Sequence, residues 1–176
     1  MYWVVWFGKL TWFFLPAGLA NMAPVLFRNS FKSLAYPINK KLFGNHKTWR
    51  GLVVAIISGG LFFVLQRYLG LNMTEFQEIS AYNYSEFAWW FGFLFAAGAI
   101  FGDLIKSFFK RRFHHKPGTR WFPFDQIDFL LGSGIVLTMF AKITIPSWLM
   151  IIIGGIILHL IVNQIGFRLK LKDNPW

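Results

Sequence analysis

The chain has 176 residues, of which 56% are hydrophobic and 20% aromatic, with 18 Lys and Arg against 7 Asp and Glu, a formal net charge of +11 and no cysteine. That is the length of one domain. A water-soluble domain so small has too little interior for this many Phe, Trp, Ile and Leu side chains, so the composition points to a bilayer and excludes a disordered basic tail, a disulfide-stapled scaffold and thiol chemistry.

A helix that crosses a hydrocarbon core about 30 Å thick needs about 20 apolar residues. Runs of that kind fall at Trp3 to Phe27, Gly51 to Leu69, Phe87 to Phe109, Ile127 to Ile145 and Trp148 to Phe167, the last two joined by a short turn around Pro146. The expected fold is therefore all-α: a single polytopic domain over residues 1–176 with five transmembrane helices. The first run has no basic residue ahead of its apolar stretch and Arg28 behind it, so it reads as an uncleaved span rather than a signal peptide. Lys and Arg crowd the loops at about 28–50 and 110–126 and the C-terminal tail, whereas loop 70–86 has none and carries Glu75, Glu78 and Glu86. By the positive-inside rule the N-terminus lies outside and the C-terminus and both basic loops face the cytoplasm, in a cell-membrane protein. The rule accounts for the net charge without nucleic acid, and no nucleic-acid motif accompanies it. The paired glycines at 59–60, 132/134 and 154–155 read as helix-packing points, and most tryptophans as interface anchors.

Polar side chains inside spans are costly and so more informative than loop charges. Asn21, Asp103, Lys106, His159 and Asn163 all fall in the cytoplasmic half. Asp103, Lys106, Ser107 and Lys110 follow an i, i+3, i+4, i+7 spacing that sets them on one helix face, Asp125 and Asp128 project together at i, i+3, and His159 and Asn163 at i, i+4. His159 with Asn163 is as well explained by a bond that fastens the bundle. Carboxylates among lysines and arginines suit a site for Mg²⁺ and a polyphosphate: the acids hold the metal, the metal bridges phosphate oxygens, and the cations neutralise the remainder. Placed at the inner leaflet, such a site implies one lipid substrate and one cytosolic nucleotide, with phosphoryl or nucleotidyl transfer as the reaction.

The run Gly102-Asp103-Leu-Ile-Lys106-Ser107-Phe-Phe-Lys110-Arg111-Arg112, followed by Phe124-Asp125-Gln126-Ile127-Asp128, resembles the membrane CTP-transferases that activate lipid phosphates. Ser107, Lys110 and Arg111 match the S-x-x-K-R part of the phosphatidate cytidylyltransferase signature, and Asp125 and Asp128 its D-R-x-D pair. The signature's K-D and P-G-H-G-G are absent, since Lys116 leads into Pro117-Gly118-Thr119-Arg120. Gln126 also replaces the arginine, so that cation must come from elsewhere, with Arg120 as the candidate. The CDP-archaeol synthases resemble this chain over nearly its whole length: Leu15-Pro16-Ala17, Asn21-Met22-Ala23-Pro24, Pro37-Ile38-Asn39, Lys47-Thr48-Trp49-Arg50-Gly51, His159, Asn163 and the terminal Pro175-Trp176 occur in the same order.

The resemblance implies that CTP reacts with 2,3-di-O-geranylgeranylglyceryl phosphate to give a CDP-activated lipid and pyrophosphate, with Asp103, Asp125 and Asp128 as Mg²⁺ ligands. Lys106, Lys110, Arg111 and Arg120 are then candidates for neutralising phosphate. Lys47, Thr48 and Arg50 are further phosphate donors and Asn39 a contact for cytosine or ribose. Gly44-Asn45-His46-Lys47-Thr48 lacks the spacing and the preceding strand of a P-loop. His114 and His115, with no carboxylate near in sequence, read as solvated or phosphate-facing. Three other readings stand beside this one: a phosphatidate cytidylyltransferase, a CDP-alcohol phosphotransferase, whose D-G-x-x-A-R motif is absent, and a small transporter or scaffold. The apolar stretch Phe87 to Ala99 argues against a polar pathway across the membrane.

Overall fold

The computed structural model describes residues 2–115, 119 and 121–168. The path is α1 (Tyr2–Leu26), a 3₁₀ turn at Lys32–Leu34, α2 (Lys40–Phe43), α3 (Trp49–Asn72), α4 (Thr74–Glu78), a second 3₁₀ turn at Tyr84–Glu86, α5 (Phe91–Arg112), α6 (Phe124–Thr138) and α7 (Ile145–Arg168). It is all-helical, and α1, α3, α5 and α7 are long and apolar enough to cross a membrane. The expected fourth span is different. Ile127 to Ile145 is not one helix: α6 spans 15 residues and ends at Thr138, which at 1.5 Å per residue is about 22 Å, short of a hydrocarbon core of about 30 Å. Residues 139–144 link it to α7, and Pro146 lies in the first turn of α7, where its missing N–H breaks no bond, rather than at the centre of the turn. α5 likewise begins at Phe91, because Phe87 is extended backbone closing the preceding 3₁₀ turn.

Two kinds of contact hold the helices. Between α5 and α6 the backbones touch: a Cβ on Gly102 would collide with the Asp128 carbonyl, one on Gly132 with the Gly98 carbonyl, and one on Gly98 would come within 2.8 Å of the Gly132 carbonyl. Small residues permit this approach, and packing of this type associates helices where lipid and core are equally apolar. At one end of the bundle the contact is made by rings. Phe13, Phe63, Tyr84, Phe87, Phe91 and Phe95 are 0 or 1% exposed, with centroids 5.9 Å apart for Phe13 and Phe63, 5.4 Å for Phe13 and Phe87, and 4.6 Å for Phe87 and Phe91. Segment 73–90 folds back to supply Tyr84 and Phe87, held by Gln77 Oε1 accepting from Tyr84 N at 3.1 Å and by Arg67 Nε donating to the Phe87 carbonyl at 2.7 Å. Burial among these rings raises the Tyr84 phenol above its ordinary pKa.

One buried polar side chain at that level went unassigned in the sequence. Pro16 in α1 has no N–H to offer the carbonyl four residues back, Trp12 O. Gln66 of α3, 1% exposed, donates Nε2 to that carbonyl at 2.8 Å and satisfies it. Polar residues are therefore not confined to the half of the bundle that holds the aspartates.

A buried carboxylate and lysine cluster

The predicted face of α5 exists: Asp103, Ser107 and Lys110 are each at most 8% exposed, and Lys106 stands between them. α6 runs against α5 and brings its first turn to the same place, so that Asp125 and Asp128 meet that face. Lys106 Nζ lies 3.0 Å from Asp103 Oδ1, 3.2 Å from Asp125 Oδ1 and 2.6 Å from Asp128 Oδ2. Lys110 Nζ lies 2.9 and 3.0 Å from the two oxygens of Asp125 and donates to Thr119 O at 2.7 Å. Lys47, from the loop before α3, pairs with Asp103 Oδ2. Asp125 Oδ2 also accepts from Trp121 N at 2.6 Å, and Asp128 Oδ1 from Phe129 N at 2.7 Å.

Charges withdrawn from water must be paired and hydrogen-bonded to be tolerated, and here three carboxylates face three ammonium groups. Among the described residues no group of three or more His, Asp or Glu side chains is arranged to hold a metal by itself; the aspartates surround an ammonium instead. The donor set nonetheless fits Mg²⁺, which needs only one or two carboxylates beside water and phosphate oxygens. Asp128 Oδ2 is fully buried and, despite its ion pair, receives no well-directed hydrogen bond. Gln126 Oε1, also buried, has no hydrogen bond among the described residues.

The first basic loop is built differently from its expected role. Asn39 Oδ1 accepts from Lys41 N at 3.0 Å and Leu42 N at 3.1 Å, capping α2. Thr48 Oγ1 accepts from Gly51 N at 3.1 Å, capping α3. These oxygens satisfy helix N-termini, leaving only the Asn39 amide and the Thr48 hydroxyl proton for a ligand. Arg50 donates through Nη1 to the carbonyls of Arg28 and Ser30 and ties the end of α1 to the start of α3, while its Nε has no hydrogen bond among the described residues. Ile38 N donates to Lys47 O at 2.8 Å beside a Pro37–Thr48 bridge, and this closed loop holds Lys47 against α5. Arg111 donates to His115 O at 2.8 Å. The His115 ring lies 5.4 Å from that of Trp121. On α7, Asn163 Nδ2 lies 3.0 Å from His159 Nδ1, as their spacing predicted. Asn21 is half-buried on α1, and its amide makes no hydrogen bond among the described residues. Arg120, Lys116 to Gly118 and the terminal Pro175-Trp176 lie outside the described residues.

A multi-pass helical bundle with a polar cluster recessed among its helices defines an intramembrane protein with a charged site. A solved structure described as an intramembrane enzyme for archaeal membrane lipids biosynthesis superimposes with a TM-score of 0.66 at 26% identity, covering 86% of this chain and 90% of that one. Residues 2–176 match the family model described as CarS-like, CDP-archaeol synthase. The CDP-archaeol synthase of Methanosphaerula palustris is 36% identical, with 92% of this chain and 99% of the relative covered. That of Archaeoglobus fulgidus is 35% identical, with 96% and 97% covered. The chain belongs to the CDP-archaeol synthase family.

Proposed function

We infer that this protein transfers the cytidylyl group of CTP to an archaeal ether-lipid phosphate, 2,3-di-O-geranylgeranylglyceryl phosphate, forming the CDP-activated lipid and pyrophosphate. Family membership over the whole matched length carries the CTP-dependent formation of CDP-archaeol. The observation that carries the site is the gathering of Asp103, Asp125 and Asp128 around Lys106, with Lys47 and Lys110 at its edges.

A lipid phosphate oxygen attacks the α-phosphorus of CTP, the bond to the bridging oxygen breaks, and pyrophosphate leaves with that oxygen. No covalent protein nucleophile is needed, so the task of the site is positioning and charge stabilisation. Lys47, Lys106 and Lys110 are neutralised by carboxylates at rest. A triphosphate competes for the same ammonium groups, and each lysine that turns to phosphate frees an aspartate oxygen. Asp128, with Asp103 or Asp125, would then hold Mg²⁺, which supplies Lewis-acid neutralisation of the triphosphate when bound. Ser107 on the same face, Arg111 and Arg120 contribute further donors to phosphate.

The topology that accompanies this reading has five spans, α6 being the short fourth. Its N-terminus lies at the charged cluster, and the segment just after it places Phe140 5.1 Å from Phe91 at the opposite end of α5. The N-terminus of the chain lies outside, the C-terminus and the charged cluster at the cytoplasmic face of the cell membrane, and CTP enters from the cytosol.

The test is purified protein in lipid nanodiscs with CTP labelled at the α-phosphate, offered geranylgeranyl ether phosphate or fatty-acyl phosphatidate, with and without Mg²⁺. Labelled lipid product with the ether phosphate, lost on chelation, is the expected result. Product with neither lipid would overturn the reading.

A further inference from the structure

Two sets of cations at the charged end of the bundle are held differently. Lys47, Lys106 and Lys110 are paired with aspartates. Arg28 and Lys32, in the short segment between α1 and α2, are exposed and make no ion pair among the described residues. Large apolar side chains alternate with them there: Phe27 is 41% exposed, Phe31 62% and Tyr36 54%. The end of α1 runs into this segment through Val25 and Leu26, which are exposed as well.

Segment 27–36 is not a loose loop. Arg50 Nη1 holds the carbonyls of Arg28 and Ser30. Leu34 N and Ala35 N donate to Phe31 O and Lys32 O at 3.1 Å each, and Trp49 N donates to Tyr36 O at 3.2 Å. The backbone is thus tied to α3 near both of its ends. Within it Phe31 has a φ of 50°, in the left-handed region where the Cβ of a bulky residue crowds the following carbonyl. One residue therefore carries both a strained backbone and a ring that the protein does not cover, a combination that marks a surface held ready for contact.

We propose that residues 27–36 form a docking surface for the anionic headgroups of bilayer lipids, in which Arg28 and Lys32 pair with headgroup phosphates while the rings of Phe27, Phe31 and Tyr36 sink into the leaflet beside them. Cations interleaved with aromatic rings suit the headgroup layer, where charge meets lipid phosphate and each ring lies at the apolar boundary. Continuity with Val25 and Leu26, at the end of a helix long and apolar enough to cross the membrane, selects a bilayer over a soluble anion, which would engage the cations and leave the rings in water. The surface uses none of the side chains assigned to the reaction, so it stands or falls apart from that reading.

The test uses the full chain in nanodiscs of phosphatidylcholine, alone or with about one-third phosphatidylglycerol. Because the sequence has no cysteine, Ser33→Cys puts a single environment-sensitive fluorophore at the centre of the surface, and Asn45→Cys puts one at another exposed loop position as the reference. In the anionic discs the label at 33 should shift to the blue and be quenched by a quencher carried on the acyl chains, while the label at 45 stays accessible to iodide. Salt at about 0.5 M should reverse the dependence on anionic lipid. Arg28→Gln with Lys32→Gln should shrink the difference between the two lipid compositions by roughly threefold or more. Phe31→Asn, whose side chain tolerates the left-handed backbone, should cut acyl-chain quenching at 33 by a similar factor. Native mass spectrometry of unlabelled protein is the second readout, free of any effect of the label on folding: wild type should retain more phosphatidylglycerol than the Arg28→Gln, Lys32→Gln variant. Equal retention by the two would overturn the proposal, as would a label at 33 as open to iodide as the one at 45 in both lipids. Protection of the label by CTP or by polyglutamate, with no dependence on lipid charge, would overturn it too, giving the cations to a nucleotide or to an acidic protein.

Discussion

The two ends of this helix bundle are assembled from opposite materials. At one end, rings from α1, α3, α5 and segment 73–90 close around Phe13. At the other, three aspartates and three lysines are packed into a space that lipid would penalise if any charge lacked its partner. The ring end tolerates imprecision, because apolar contacts are many, weak and undirected. The charged end does not, because removing one member of a buried ion pair strands the other. Stability and chemistry are in this way assigned to different ends of the same helices, and substitutions should separate them.

The largest effect is expected for Asp128→Asn, which keeps the shape of the side chain and removes its charge. Turnover, followed by pyrophosphate release, should fall by about three orders of magnitude or more, while the protein stays folded in the membrane. Retained turnover would remove Asp128 from the site. Phe13→Ala is the counterpart at the ring end. Phe→Ala costs about 3–5 kcal/mol in soluble cores, but lipid is as apolar as this interior, so only the cavity part survives. Roughly 2 kcal/mol of stability should be lost in denaturant titration, with kcat per folded molecule nearly unchanged; a collapse of kcat would show that the ends are coupled. Lys47→Met removes a charge-assisted partner worth about 1.5–3 kcal/mol. It should raise the KM for CTP roughly tenfold to a hundredfold and leave the KM for lipid unaffected.

Gln66→Leu should cost about 1–3 kcal/mol by leaving Trp12 O unsatisfied. Adding Pro16→Ala, which restores the helix N–H to that carbonyl, should recover most of it in a double-mutant cycle; simple additivity would mean that Gln66 does something else. The smallest change is expected for Asn39→Ala, where loss of the α2 cap costs about 1 kcal/mol. Asn39→Asp keeps the cap oxygen, so an altered preference for CTP over UTP in that variant, at unchanged stability, would assign base recognition to the side-chain amide.

The long apolar runs made α1, α3, α5 and α7 legible, and the i, i+3, i+4, i+7 pattern gave the charged face of α5 outright. Hydropathy could not show where α6 stops, because Met139, Phe140 and Ala141 are as compatible with lipid as the residues before Thr138, and Lys142 is the one local sign of the break. Phe87 to Trp90 misled in the same way: Phe87 is buried in the bundle from a loop, while Trp89 and Trp90 are exposed just before α5 begins. The pairing of Lys47 with Asp103 joins residues 56 apart in the chain, and no local pattern encodes it. Asn39 and Thr48 each directly precede a helix, the position where an Asn or Thr side chain caps, so the capping role of their oxygens was legible beside their expected role as ligand donors. Pro16 announced that Trp12 O would need a donor, but only the fold could name Gln66.

The glycine seam between α5 and α6 also sets the scale of the charged cluster. Asp103 and Lys106 stand on one helix and Asp125 and Asp128 on the other, while Gly98, Gly102 and Gly132 decide how near those helices come. A single methyl at Gly102 would act as a shim. It would change no charged residue yet move Asp103 and Lys106 away from Asp125 and Asp128, so that one ammonium could no longer reach all three carboxylates. The gauge of the site is thus kept by residues that have no side chain and take no part in the chemistry.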